Sequence, residues 1–238
     1  MTEAELLARV QFAFTISFHI IFPTMSIGLA AFLAIVEGLW LKTKDPLYMQ
    51  VYRFWLGIFA MGFGLGVVTG LVMSFELGLG FAKFGQMAGP VIGPTIAFEV
   101  LTAFFLEAGF LGIMLFGLNR VGPKLHFFAS CMVALGTLIS ASWILSANSW
   151  MQSPSGVSVE NGRIVVTDWL SVIVNPSWPF RLPHMLAAAY ITGSCIRVDG
   201  GTPNARTTWK LEPHSRSAPF EGFHRARLPD VMKRKAQV

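Results

Sequence analysis

Long runs of apolar residues almost free of charge constrain this chain more than any other feature. Four of them, at about 11–41, 54–79, 91–118 and 125–147, reach the roughly 20 apolar residues that a helix needs to cross a bilayer. A buried soluble helix is shorter, so these runs predict an all-α, polytopic transmembrane bundle. A fifth run begins near Leu182 and stops near Ile196, after about 15 residues, too few to span comfortably. The expected architecture is four complete spans plus a truncated fifth. Pro23 lies inside the first span and predicts a kink there.

Composition supports this. Hydrophobic residues make up 53% of the 238-residue chain and charged residues 13%, against roughly 25% charged in a soluble domain. Residues 1–195 hold nine Lys/Arg and nine Asp/Glu, while 196–238 hold nine and four. The net charge of +5 therefore sits in the tail, and the main body carries no basic signature for nucleic acid. Cys131 and Cys195 form neither a CxxC pair nor a disulfide framework. Glu3 and Glu5 stand where a signal peptide needs positive charge, so the first hydrophobic helix is expected to stay in the membrane.

The connections give an orientation. Lys42, Lys44 and Arg53 lie near one, Arg120 and Lys124 near another, and Lys83 and the 148–181 loop are poorer in charge per residue. The richer connections are expected on the cytoplasmic side, with the N-terminus and the long loop outside. That loop carries the turn signal Asn161-Gly162 beside the β-prone Arg163–Thr167, which predicts a small hairpin. Trp150, Trp169 and Trp178 suit an interfacial belt. Beyond about residue 196 the apolar pattern gives way to Arg, Pro and Ser. Two readings are a disordered basic tail and out-of-frame translation.

Ionisable residues at membrane depth are costly and mark function by default. His19, Glu99, Glu107 and His184 stand out. His19 lies in Phe18-His19-Ile20-Ile21-Phe22, apolar surroundings that suit either a haem ligand or a hydrogen-bonded core histidine. Glu99 and Glu107 are eight residues apart, about 12 Å of helix and about 80° past two turns. They share one broad side at different depths, as a proton relay requires. His184 opens the fifth run. His126 falls at the cytoplasmic edge, where a surface or helix-end role is expected. Gly62/Gly66 and Gly66/Gly70 are small-xxx-small pairs for close helix packing. Phosphate binding by these glycines is excluded by their place within a span.

The stretches Arg9-Val10-Gln11-Phe12-Ala13-Phe14, His19, Gly66-Val67-Val68-Thr69-Gly70, Phe98-Glu99, Phe104-Phe105-Leu106-Glu107, Trp143–Gln152, Asn175-Pro176 and His184 follow one another collinearly. In them the chain resembles subunit I of cytochrome bd-type quinol oxidases, more closely the cyanide-insensitive-oxidase branch. The resemblance runs to about Thr192. It implies a haem-binding subunit that takes electrons from quinol and reduces oxygen to water. His19 would ligate a high-spin haem and His184 the low-spin b haem. Arg9 would pair with haem propionates. Glu99, Glu107 and, aligned with a polar residue of the proton path, Ser140 would serve proton delivery. The implied cofactors are heme b558, heme b595 and heme d, or a second high-spin b heme in its place. The implied partners are oxidase subunit II, quinol, oxygen and membrane lipid, in the bacterial inner membrane. The family subunit is about twice this length. Its methionine ligand to the low-spin haem, its quinol loop and a glutamate haem ligand have no counterpart after Gly193, so a haem-binding region over 1–195 and a separate 196–238 tail are expected. Two other readings are a haem-free proton or cation transporter built on Glu99 and Glu107, and an inactive remnant.

Overall fold

A computed structural model describes residues 2–76, 81–160 and 162–199. Four apolar spans cover Glu3–Thr43, Pro46–Phe75, Phe84–Phe116 and Pro123–Gln152. The bundle expected from the sequence is the one observed.

The first span is two helices, α1 (Glu3–His19) and α2 (Ile21–Thr43). Pro23 has no N–H to offer the His19 carbonyl one turn back, and its ring crowds that carbonyl. The helix breaks there, at Ile20, and the Thr24 hydroxyl donates to the Ile20 carbonyl at 2.6 Å. The expected kink thus sits immediately beside His19. Glu3 and Glu5 begin the helix: Thr2 and Glu5 form a reciprocal capping box, which satisfies two free amide donors. Lys44, in the left-handed region at φ 59°, ends α2, and Asp45 followed by Pro46 starts α3 (Pro46–Phe75).

The third span contains α4 (Ala82–Glu99), a π-helical turn (Val100–Phe104) and α5 (Phe105–Phe116). Helix α6 (Pro123–Gln152) follows. At 30 residues, α3 and α6 each extend about 45 Å, longer than the roughly 30 Å hydrocarbon layer. Strands β1 (Val157–Glu160) and β2 (Arg163–Val166) pair antiparallel, Val157 opposite Val166 and Glu160 opposite Arg163. This is the predicted hairpin. Gly162 takes φ +76° in its turn, a conformation L side chains rarely adopt. Asp168 caps the short α7 (Trp169–Ile173). The Ser171 hydroxyl, then the Leu170 amide, hold its carboxyl below the usual range.

Helix α8 (Trp178–Asp199) starts four residues before the expected Leu182 and runs three beyond Ile196. Its start is tied down by polar bonds that hydropathy cannot show. Asn175, fully buried, donates to the Ser146 and Val172 carbonyls at 3.2 and 3.1 Å. The Trp178 indole donates to the Ser142 carbonyl at 3.2 Å. Trp150, 3% exposed, donates to the Ser155 carbonyl at 3.1 Å. Trp150 and Trp178 brace the connection between α6 and α8, and Trp169 is the exposed one of the three. The reason is the indole N–H, which must find a partner once the ring packs inward.

Helix α2 packs against α3, α6 and α8. The main core gathers Leu29, Leu33, Val36, Tyr52, Phe59, Met114 and Val133 from α2, α3, α5 and α6. A smaller one joins α4 and α6 to α7 and the hairpin. Where α2 meets α8, Gly28 lies against Gly193 so closely that a Cβ on Gly28 would fall 2.8 Å from both the Ala189 carbonyl oxygen and the Gly193 Cα. Both obstacles are backbone. Gly28→Ala is expected to destabilise the bundle by about 1–3 kcal/mol, the usual range for overpacking. Thermal unfolding in detergent checks this, and an unchanged midpoint would contradict the close approach.

Candidate functional site

Three polar clusters interrupt the apolar bundle. The first lies where α1 crosses α3. The glycines of α3 receive the other span in steps: a Cβ on Gly62 would meet Met25, one on Gly66 would meet Phe22 at 3.5 Å, and one on Gly70 would meet His19 Cε1 at 3.3 Å. The small-xxx-small pairs do pack helices, and one of their contacts is the His19 ring. His19 Nδ1 lies 2.8 Å from the Thr69 hydroxyl. That hydroxyl donates to the Leu65 carbonyl at 2.8 Å, so its lone pair faces the imidazole. With the hydroxyl hydrogen so placed, Nδ1 carries the imidazole hydrogen and Nε2 keeps its lone pair. This is the tautomer that an iron ligand needs, set by a hydrogen bond on the far side of the ring. His19 is only half-buried, and the neighbouring Phe18, Ile20 and Ile21 are exposed apolar surface beside it. The donor chemistry and the apolar surround both fit a haem. Thr69→Val keeps the shape and removes the acceptor, and a haem held by His19 would be retained about 10–100-fold more weakly. Haem-to-protein ratio after purification measures it.

One turn before His19, Thr15 donates to Glu76 at 2.9 Å, and the other Glu76 carboxylate oxygen is buried without a hydrogen-bond partner among the described residues. Sequence reading passed over Glu76 because it falls at the end of its apolar run.

The second cluster is built on the third span and α6. Ser140 donates to Glu99 at 2.7 Å. Glu107, 6% exposed, lies over Gly136, where a Cβ would come within 2.5 Å of the Glu107 Cγ. Gly136 and Ser140 are four residues apart on one face of α6. The π turn between the two glutamates absorbs one residue, so eight positions act as about seven of α-helix, and the angular offset falls from about 80° to about 20°. Both carboxyls then address the same face of α6. Trp143, stacked on Phe98 at 5.5 Å and donating to Thr102 at 2.9 Å, braces the π turn from that face. One Glu107 oxygen, Oε1, is buried without a hydrogen-bond partner among the described residues. The structure thus joins Glu99 to Ser140 and adds Gly136 as the residue that makes room for Glu107.

The third cluster corrects the reading of His126 as a surface or helix-end group. His126 and Glu37 are both fully buried and meet at 2.5 Å. Ser130 donates to the other Glu37 oxygen, and Tyr52 and Ser130 hydroxyls lie 3.0 Å apart. Helix α6 begins at Pro123, so His126 is one turn inside it, turned toward α2 rather than outward. Glu37 was not singled out from the sequence. The signal was available, as a lone carboxylate in an apolar run.

Arg9 and His184 stay apart from these clusters. Both are exposed, on α1 and α8, and neither side chain makes a hydrogen bond to the described residues. Arg181, one turn before His184, donates to Asn148 at 3.1 Å and fixes that end of α8.

The sequence model of the family "Cytochrome bd terminal oxidase subunit I" matches residues 7–199. The chain belongs to that family. Over 188 residues it is 41% identical to "Cytochrome bd ubiquinol oxidase subunit 1" of Bacillus subtilis (strain 168), covering 79% of this chain and 40% of that protein. Over 190 residues it is 37% identical to "Cytochrome bd-II ubiquinol oxidase subunit 1" of Escherichia coli (strain K12), covering 79% and 37%. The solved bd oxidase from Geobacillus thermodenitrificans matches with a TM-score of 0.77 and 33% identity over 82% of this chain and 45% of that chain. As a bd subunit I family member, the chain spans about two-fifths of the length of these curated relatives, and the helical membrane bundle is common to them.

Proposed function

We propose that this chain is the haem-binding part of a quinol-oxidising terminal oxidase that reduces oxygen to water. The observation that carries the reading is His19, with Thr69 holding its Nδ1 so that Nε2 can serve as a ligand. In family members with this activity, haem supplies electron transfer and oxygen binding. His19 holds a high-spin haem, heme b595 or heme d, and His184 holds heme b558 from α8. Arg9, exposed toward the N-terminal end of α1, offers a guanidinium to haem propionates.

The residues of this chain manage protons. Ser140 keeps Glu99 oriented by donating to it. Glu107 stands two turns further along the same face, buried against Gly136. A proton held at Glu107 and one held at Glu99 are thus at successive depths, as uptake from the basic side of the bundle requires. We take that side as cytoplasmic and the membrane as the bacterial inner membrane. Oxidase subunit II, quinol, oxygen and lipid are the partners. Residues 1–195 form the haem-binding region; the tail expected over 196–238 lies outside the described residues from residue 200 on.

The test is quinol-driven oxygen consumption in membranes of an oxidase-deficient bacterium expressing the full chain with subunit II. Oxygen uptake that disappears in His19→Ala supports the reading. Chain present in the membrane with no uptake above the empty membrane contradicts it. Proton flux without haem would favour a transporter instead.

A further inference from the structure

The cluster around Glu37 and His126 has no part in the haem site or the Glu99–Glu107 face. Its hydrogen positions follow from its partners. His126 Nε2 lies 3.1 Å from the Met114 carbonyl, which can only accept, so Nε2 carries a hydrogen. Nδ1 faces Glu37 Oε1 at 2.5 Å, and two lone pairs cannot meet at that distance. One proton therefore sits between them, and the pair is neutral as a whole, either carboxylate with imidazolium or acid with imidazole. Ser130 donates to the second carboxylate oxygen, and the Tyr52 hydroxyl reaches Ser130 at 3.0 Å. The Tyr52 ring also meets the His126 ring edge-on at 5.7 Å.

Every donor in this chain of bonds points the same way, from Tyr52 through Ser130 to Glu37. At its outer end a cleft of about 270 Å³ is lined by Tyr52, Arg53, Met114 and Asn119. It opens at the bundle end that carries Lys42, Lys44, Arg120 and Lys124. Tyr52 lines the cleft and is itself 0% exposed, so exchange with water there needs a local opening at Tyr52. Around the pair stand Tyr52 and Arg53 of α3, Cys131 of α6 and Lys42 further along α2. Helix α5 presents the Met114 carbonyl, and α8 meets α2 at Gly28, two and a half turns from Glu37.

We propose that Glu37 and His126 form a proton-holding site at the basic end of the bundle, exchanging with water in the cleft through Tyr52 and Ser130. A proton arriving at the Tyr52 oxygen displaces the phenolic proton to Ser130. The Ser130 proton passes to Glu37, and the pair gains one proton overall. Return runs the same bonds in reverse. Glu107 lies seven residues from Met114 on α5, about 10 Å away, too far for direct transfer. The site therefore trades protons with the cleft. This goes beyond the haem reading and stands on the cluster alone.

Solid-state NMR on the full chain in lipid nanodiscs, with nitrogen-labelled histidine, measures the exchange lifetime of the His126 Nδ1 proton with water. His126→Gln assigns the signal. The expected result is exchange within the experiment, slowed at least tenfold in Tyr52→Phe, with the Nε2 signal unmoved because its bond to Met114 persists. Ser130→Ala cuts the same relay at its other joint and carries the test should Tyr52→Phe fold poorly. A lifetime unchanged in both variants, or a proton that does not exchange over days in the unaltered chain, would overturn the proposal.

Discussion

On the proposed oxidase function, Glu107→Gln is expected to lower quinol-driven oxygen consumption by about 10²-fold or more, the scale on which loss of a proton-transferring side chain acts. The amide fits the same pocket over Gly136 and preserves volume, so folding and haem content should stay near those of the unaltered chain. What it removes is a proton that can leave. Stopped-flow turnover beside a haem spectrum separates the two effects. Full turnover with glutamine at this position would mean that Glu107 only packs. Ser140→Ala should act more mildly, since Glu99 keeps its carboxyl and loses the bond that orients it.

The largest effect on stability is expected at Glu37 and His126. Both are fully removed from water, so truncating one leaves the other's buried polar group without its partner. His126→Ala or Glu37→Ala should each cost about 3–5 kcal/mol, because a buried ionisable group without its partner is the expensive state. The double replacement Glu37→Met with His126→Leu should recover most of that loss, since an apolar pair of similar volume needs no partner. A thermal-melt cycle in detergent reads all four chains. Additive losses, with no recovery in the double variant, would show that the two residues do not stabilise the fold as a pair.

Much of this was legible in the sequence, for a physical reason. Crossing a bilayer demands continuous apolar length, and four such runs can hardly be anything but spans. Pro23 announced a break, and Asn161-Gly162 with Arg163–Thr167 announced a hairpin, because each acts through its own backbone. Features that depend on a distant partner were not legible. The start of α8 is set by Asn175 and Trp178 bonding to carbonyls of α6, which no local pattern records. His126 reads as a helix-end histidine until Glu37, 89 residues away in sequence, is brought against it. The π turn realigns Glu99 and Glu107 beyond what an ideal 3.6-residue period foretells. The glycine stripe of α3 was read as a packing surface, but that one of its contacts is His19 emerges only from the crossing of two spans.

The central claim is that His19 is built to hold a haem. A reduced-minus-oxidised visible spectrum of membranes expressing the full chain with subunit II, beside the His19→Ala variant, tests it most directly. The account predicts a haem signal in the unaltered chain that is lost or sharply reduced in the variant at equal protein level. Protein present in the membrane without any haem signal, or a signal identical in both, would contradict it.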